Sequence, residues 1–187
     1  MDVMIDIEAS GKGENNGALV SIGAVAFDPM GSGLGGEFYT VVDPKSASEM
    51  GQVVDASTFC WWMLQSPDAR SVFASPDKVS LAEALALLAA FVQGSKFESV
   101  WAAPVCYDLM FLRRCYQQLG MGLPWYAMQQ NDTRTYLKTL ERLGLVDKAA
   151  IKREWEQRKA ENKCQHNALE DAKAQASAVQ KITALSQ

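Results

Sequence analysis

The chain has 187 residues, of which 48% are hydrophobic and 21% charged, a composition typical of a globular domain that can bury a core. Its 18 basic residues against 22 acidic ones give a net charge of −4, which argues against a protein that grips nucleic acid through bulk positive charge. The single histidine, His166, excludes any site that needs two histidine ligands.

The cysteines and the chain start indicate where the protein resides. None of the four cysteines forms a C-x-x-C pair, which disfavours a zinc cluster, and free cysteines fit a reducing compartment. Residues 1–6 are acidic where a signal peptide is basic, and the longest apolar stretch, 81–92, is too short to span a bilayer. We therefore expect a cytoplasmic protein with no membrane partner and a single domain over residues 1–187.

The first elements in chain order are strands. Residues 3–8 alternate apolar and acidic side chains, 19–27 are apolar and rich in small and β-branched residues, and 38–42 form a third candidate. Glycine-rich loops at 11–13 and 31–36 separate them. These short connections predict an antiparallel meander.

Helices follow the meander. Asp55 or Ser57 is placed to cap a helix, Ser66 precedes a proline that begins another, and Ser80 opens the apolar run to residue 92. A short buried strand at 99–104 precedes the other predicted helices, at 108–119, 133–143, 152–163 (charged, on the surface) and after residue 167. This order predicts an α/β fold with a mixed sheet, an antiparallel meander plus parallel strands, flanked by helices.

Asp6 and Glu8 form the first candidate site. Alternate residues of a strand project from one face, so the two carboxylates would stand side by side opposite the apolar face. Their repulsion is relieved by a divalent cation such as Mg²⁺ or Mn²⁺. An isolated D-x-E is more often the solvated face of an edge strand.

His166 and Asp171 flank the start of the last helix. The spacing suits a histidine in the entry loop as general base and an aspartate on the helix as metal ligand. The alternative is a surface histidine with acidic residues that complement the helix dipole. Asp108 follows a buried strand and opens a helix, where a plain N-cap is the alternative.

Together these positions are more specific than any one of them. Asp6-x-Glu8, Asp108 and His166 with Asp171 resemble, in order and spacing, the DEDDh class of 3′→5′ exonucleases, which includes RNase T, oligoribonuclease and the proofreading subunit of DNA polymerase III. Further stretches are similar to the RNase T-like branch of small phage and bacterial exonucleases, namely residues 20–25 (VSIGAV), 61–70 (WWMLQSPDAR) and 131–135 (NDTRT). The family's second motif often reads W-G-N-G-x-x-F-D, whereas residues 101–108 read WAAPVCYD.

The resemblance, which covers residues 1 to about 182, implies a ribonuclease H-like fold and a two-metal mechanism. Two Mg²⁺ or Mn²⁺ ions would be held by Asp6, Glu8, Asp108 and Asp171, and His166 would take a proton from the attacking water. The substrate would be single-stranded or 3′-overhang RNA or DNA, degraded to nucleoside 5′-monophosphates. The resemblance also suggests a bacterial or phage origin and a homodimer, and it leans towards RNA or broad single-strand activity.

Substrate contacts are predicted at Ile7, Trp62, Tyr107 and Arg134. Trp62 or Tyr107 would stack on a terminal base, with core packing as the alternative for both. Further candidates for strand grip are Arg113, Arg114 and the basic positions of 152–163, with a solvated helix face as the alternative for the latter.

Two other functions compete with an active exonuclease. The altered second motif motivates a catalytically weak or inactive nucleic-acid-binding module that kept the fold, although such a module has no need for five reactive positions. A third interpretation makes Asp6 and Glu8 ligands of a structural metal.

The acidic charge is uneven along the chain. Residues 1–60 hold nine acidic and two basic residues, a net of −7, so the other residues, with 13 acidic and 16 basic, carry +3. The negative part contains two proposed metal ligands. The net charge therefore favours a metal-dependent enzyme over a charge-driven binder.

Overall fold

A mixed sheet organises the computed structural model, which describes residues 1–11, 17–162 and 164–187. Within that part of the chain the sheet has six strands in the order β4-β3-β2-β1-β5-β6. Strand β1 pairs antiparallel with β2, and β2 with β3, while the other three pairings are parallel. The strands are β1 Asp2–Ala9, β2 Leu19–Phe27, β3 Leu34–Val42, β4 Lys78–Val79, β5 Val100–Ala102 and β6 Gln130–Asp132.

The sheet confirms the predicted meander and the α/β class. Two boundaries were wrong. Strand β3 begins at Leu34, which pairs with Phe27, inside the glycine-rich stretch that we expected to be a loop, and the strand predicted over 99–104 spans only Val100–Ala102. Of the other predicted loop, 11–13, residues 12 and 13 lie outside the described part of the chain.

Eight helices surround the sheet in the described residues, and none of them is long and apolar enough to cross a membrane. Asp55, Ser66 and Ser80 cap α2, α3 and α4 as the sequence indicates. The helices are α1 Pro44–Glu49, α2 Ala56–Met63, α3 Pro67–Arg70, α4 Leu81–Gly94, α5 Asp108–Gln118, α6 Thr133–Arg142, α7 Lys148–Glu161 and α8 Ala168–Ala184.

The charged helix differs most from its prediction. We expected it over 152–163, but the Asp147 side chain accepts a hydrogen bond from Ala150 N, so α7 begins at Lys148. It ends at Glu161, and residue 163 lies outside the described part. One side of α7 packs against α8 through Trp155 and Ile151, so the helix is only partly a surface helix.

The two faces of the sheet are covered by different helices. Val3, Ile5 and Ile7 of β1 face the main core, together with apolar residues of α4 and α5. Met4 points to the other face, where it packs against Ala172 of α8. Since side chains alternate along a strand, Asp6 and Glu8 lie on the same face as Met4, beside α8.

Gly23 lets α8 approach the sheet closely. It lies on β2 opposite Asp6, and a Cβ at this position would come within 2.1 Å of the backbone nitrogen of Leu169. No side chain fits there, so glycine allows the first turn of α8 to rest directly on the strand. The start of α8 is thereby held beside the carboxylates of β1.

Candidate active site

Three elements bring the predicted acidic residues to one end of the sheet. Asp6 and Glu8 lie in the second half of β1. Strand β5 runs parallel to β1, and the segment after it leads to Asp108 at the start of α5. Because the carboxyl ends of parallel strands meet at the same edge, the side chains converge there.

Asp108 is almost fully buried, with 3% of its surface exposed. It does not cap α5, since Tyr107 occupies the N-cap position and Asp108 is the first helical residue. Its carboxylate accepts hydrogen bonds from backbone N–H groups, including that of Ile7 on β1. The aspartate thus ties the start of α5 to β1 at the site.

His166 and Asp171 complete the cluster from the start of α8. The backbone of His166 adopts a left-handed conformation, with φ of 65°, and its N–H donates to Asp171 Oδ2 at 2.9 Å. The His166 Nδ1 lies 3.9 Å from Glu8 Oε1. Ligand atoms of Glu8, His166 and Asp171 all lie within 4.8 Å of one another. The predicted entry-loop histidine and helical aspartate are therefore both where the spacing placed them.

Burial and mutual repulsion raise the pKa values of the carboxylates. Burial raises the pKa of Glu8 to about 8 and that of Asp108 to about 7. The pKa of Asp6 is well above its ordinary value because of burial and then repulsion from Asp108, Glu8 and Asp171. Burial also raises the pKa of Asp171. Four acidic groups thus share a site where they cannot all ionise without added positive charge.

The donor set fits divalent metal ions. Among the described residues, no lysine or arginine forms an ion pair with any of the four carboxylates. Carboxylate oxygens are the ligands that Mg²⁺ and Mn²⁺ prefer, and such ions supply the missing positive charge. Asp6, Glu8, Asp108 and Asp171 could therefore hold metal ions.

The surroundings of His166 favour the neutral imidazole. Burial lowers its pKa, against the opposing effect of Asp171, and the neutral ring is the form that accepts a proton. The edge of Trp61 packs against the ring with the centroids 4.8 Å apart. These contacts suit a general base held in one place.

A cavity of about 290 Å³ opens over the cluster. Ile7 and Tyr107, both predicted substrate contacts, line it. Ile7 has only 4% of its surface exposed and its side chain belongs to the main core. Tyr107 is half-buried, and its hydroxyl donates to Gly11 O at 3.4 Å. Tyr107 is therefore the better placed of the two for a side-chain contact with substrate.

The structure corrects the prediction for Trp62. This residue is 1% exposed and its indole N–H donates to Ala9 O at 3.0 Å, so it offers no face to a base. Its neighbour Trp61 is 41% exposed and contacts His166. The stacking prediction was therefore wrong for Trp62, and core packing is its role.

The three predicted arginines differ in exposure and in their contacts. Arg134 is exposed, and its charge acts on Asp108 by lowering the pKa of that carboxyl against the larger effect of burial, so it lies within electrostatic reach of the site. Arg113 is exposed on α5. Arg114 donates to Gly17 O at 2.9 Å and covers the ring of Phe111, which gives it a structural role.

Sequence reasoning missed two residues that hold the carboxylates. Gln175 donates from Nε2 to Asp6 Oδ1 at 2.7 Å, and Asn162 donates from Nδ2 to Asp171 Oδ1 at 2.6 Å. The helical spacing could have found Gln175, which lies one turn after Asp171 on α8. No local pattern marks Asn162, because it lies in the loop after α7.

Comparison with known proteins agrees with this geometry. A family model described as the 3′-5′ exoribonuclease Rv2179c-like domain matches residues 1–183. The chain belongs to this family. It is thus a 3′→5′ exonuclease, as the order of the acidic residues and His166 implied. No curated protein matches the chain.

A solved structure supports the fold of this exonuclease family member. It is titled as the nuclease domain of 3′hExo, a DEDDh family member, bound to rAMP. The two share 13% identity with a TM-score of 0.67, and the match covers 98% of this chain and 91% of that chain. The ribonuclease H-like fold and the DEDDh resemblance are confirmed, while the narrower RNase T-like branch stays a prediction.

Proposed function

We propose that this exonuclease degrades RNA from a single-stranded or overhanging 3′ end and releases nucleoside 5′-monophosphates. The observation that carries the proposal is the convergence of Asp6, Glu8, Asp108 and Asp171 at one cavity with His166 beside them. RNA is the favoured substrate because the family is described as exoribonuclease.

The residues of the site have different roles in the proposed hydrolysis. The four carboxylates would hold two Mg²⁺ or Mn²⁺ ions, which supply Lewis-acid activation of water and stabilise negative charge on the leaving 3′ oxygen. His166 accepts the proton of the attacking water, and burial lowers its pKa, which favours the neutral form that this role needs. Asn162 and Gln175 orient two of the carboxylates through their side-chain amides.

Matched oligonucleotides test the proposal. Purified protein with Mg²⁺ or Mn²⁺ should release mononucleotides from 3′-labelled single-stranded RNA, and more slowly from DNA of the same sequence. Asp108→Asn should reduce the rate by at least about a thousandfold because it removes a metal ligand from the reaction centre. Equal rates on RNA and DNA would contradict the substrate assignment, and no release with metal bound would contradict hydrolysis itself.

An inactive binding module has less support. The altered second motif, which motivates that alternative, still delivers Asp108 to the carboxylate cluster. Val105 N in this segment donates to Asp132 Oδ2 at 2.9 Å, so the segment is anchored to the start of α6 without the family's glycine and asparagine. The four carboxylates that we propose as ligands therefore line one cavity despite the substitution.

A further inference from the structure

The last turn of α7 contributes two cations to the active-site cavity. Arg158 and Lys159 line it together with Trp155 of the same helix and the four carboxylates. Basic residues in the last turn of a helix commonly complement the helix dipole, a role that exposed side chains can fill. The side chain of Arg158 is largely buried, which the helix dipole does not explain.

Arg158 has a buried donor with no acceptor in the described structure. Only 20% of its side chain is exposed, and its Nη1 pairs with Glu161 Oε2 at 2.6 Å. Its Nε is buried and has no hydrogen-bond partner among the described residues. Buried N–H donors are normally paired, so this atom calls for an acceptor that arrives from elsewhere.

The location of this donor identifies the acceptor. Arg70 also has a buried, unpartnered Nε, but it does not line the cavity, so the unpaired atom alone does not mark a substrate contact. Arg158 combines the unpaired donor with a position on the wall of a cavity that receives a phosphodiester. The charge of its neighbour Lys159 also reaches His166 and Asp171.

We infer that the guanidinium of Arg158 donates a hydrogen bond to a non-bridging oxygen of the scissile phosphate. This assignment rests on the proposed function. A guanidinium presents several donors in a rigid plane that matches phosphate oxygens, and Glu161 holds one end of that plane in place. The contact places a fixed positive charge beside the phosphate that the carboxylates alone would repel.

The test compares Arg158→Gln with Arg142→Gln. Arg142 is an exposed arginine in the last turn of α6 and does not line the cavity. Two substrates are used, a 3′-labelled RNA pentamer and the p-nitrophenyl ester of a nucleoside 5′-monophosphate, which has a single phosphate. Arg158→Gln should lower kcat/KM about 10- to 100-fold on both, as expected for a charge-assisted hydrogen bond, and Arg142→Gln should stay within about twofold of wild type.

Three outcomes would overturn the assignment of this contact to Arg158. Wild-type kcat/KM in Arg158→Gln would show that the contact does not exist, and equal losses in both variants would show a general charge effect. A loss on the RNA alone would place the contact on another phosphate of the strand. Failure of the wild-type protein to release any product would instead contradict the proposed function, so the two failures are distinguishable.

Two further measurements test the contact independently of the activity of Arg158→Gln. Arg158→Lys keeps the charge and lacks the guanidinium plane, so a loss of several-fold should remain, and full activity in this variant would overturn the guanidinium contact. In the Asp6→Asn background, fluorescence anisotropy should show weaker binding of the RNA pentamer after Arg158→Gln but not after Arg142→Gln. Equal affinity of the three proteins would contradict the inference.

Discussion

At the level of single residues, the candidate active site brings together buried acidic side chains that repel one another. Asp6 lies among three other acidic side chains, and burial and repulsion raise its pKa well above the ordinary value. One hydrogen bond, from Gln175, favours its charged form. Such a site costs stability in the metal-free protein in exchange for metal affinity, a common relation between stability and function.

Asp6→Asn should therefore abolish activity and stabilise the metal-free protein. The amide keeps the shape of the side chain but removes one of the repelling charges. We expect a melting temperature raised by about 2–4 °C in chelator, which corresponds to roughly 1 kcal/mol for a chain of this size. Differential scanning calorimetry measures it, with exposed Asp68→Asn as the control. A lower melting temperature for Asp6→Asn would contradict the electrostatic account.

At the level of elements, the site depends on how closely α8 rests on the sheet. The first turn of the helix contacts the backbone of β2 at Gly23, directly opposite Asp6. His166 and Asp171 are carried by the same helix start, and Asp6 and Glu8 by the neighbouring strand. The close approach of α8 to β2, which places these two pairs of candidate site residues side by side, thus depends on a position that has no side chain.

Gly23→Ala should move His166 and Asp171 on α8 away from Asp6 and Glu8 on β1. The added methyl group would lie 2.1 Å from Leu169 N, so the helix or the strand must shift. We expect a melting temperature lower by several degrees and a fall in kcat/KM of at least tenfold. Gly94→Ala, at the end of α4 with no atom within 4 Å of the new methyl group, is the control and should be neutral or stabilising. Normal activity in Gly23→Ala would contradict this role.

The elements also show how far sequence reasoning reaches. Strand alternation found Asp6 and Glu8 on one face, and the order of the motifs found Asp108, His166 and Asp171. Helical spacing could mark Gln175 as a neighbour of Asp171 on α8, but its hydrogen bond to Asp6 spans 169 residues and no local pattern predicts that partner. Sequence reasoning also proposed that Trp62 stacks on a base, with core packing as the alternative, and the structure shows the core packing. Adjacent positions of a helix differ by about 100°, so Trp61 lies on a more exposed side.

At the level of the whole molecule, the acidic and basic residues are distributed unevenly along the chain, and both kinds line the candidate site. Residues 1–60 carry nine acidic against two basic residues, or −7, and contribute Asp6 and Glu8 to the site. The cations Arg158 and Lys159 come from the mildly basic remainder and line the same cavity. An acidic protein could thus receive a polyanion, because the positive charge is local and would include the metal ions that we propose to bind there.

The stability of the whole protein should depend on pH in a direction set by the carboxylates. In the metal-free fold, the pKa of Glu8 is raised to about 8 and that of Asp108 to about 7, chiefly by burial, whereas the unfolded chain has values near 4. Between these limits the folded state binds more protons than the unfolded state. The contribution of these groups to the free energy of unfolding is therefore fully present below about pH 4 and is lost as the pH rises to about 8.

Melting temperatures from pH 5 to pH 8.5 in chelator should show this decline, and Glu8→Gln should make it shallower. With Mg²⁺ or Mn²⁺ the stabilisation should grow over the same range, because metal binding needs deprotonated carboxylates. A melting temperature in chelator that falls equally steeply in Glu8→Gln and wild type would contradict the assignment of the decline to this cluster.

The most direct test of the account is anomalous diffraction from crystals grown with Mn²⁺ and a nucleoside 5′-monophosphate. We expect two manganese peaks among the carboxylates of Asp6, Glu8, Asp108 and Asp171, with the phosphate of the nucleotide in the cavity beside His166. Absence of manganese from this cluster, at a concentration that supports RNA hydrolysis, would contradict the metal-dependent site on which the account rests.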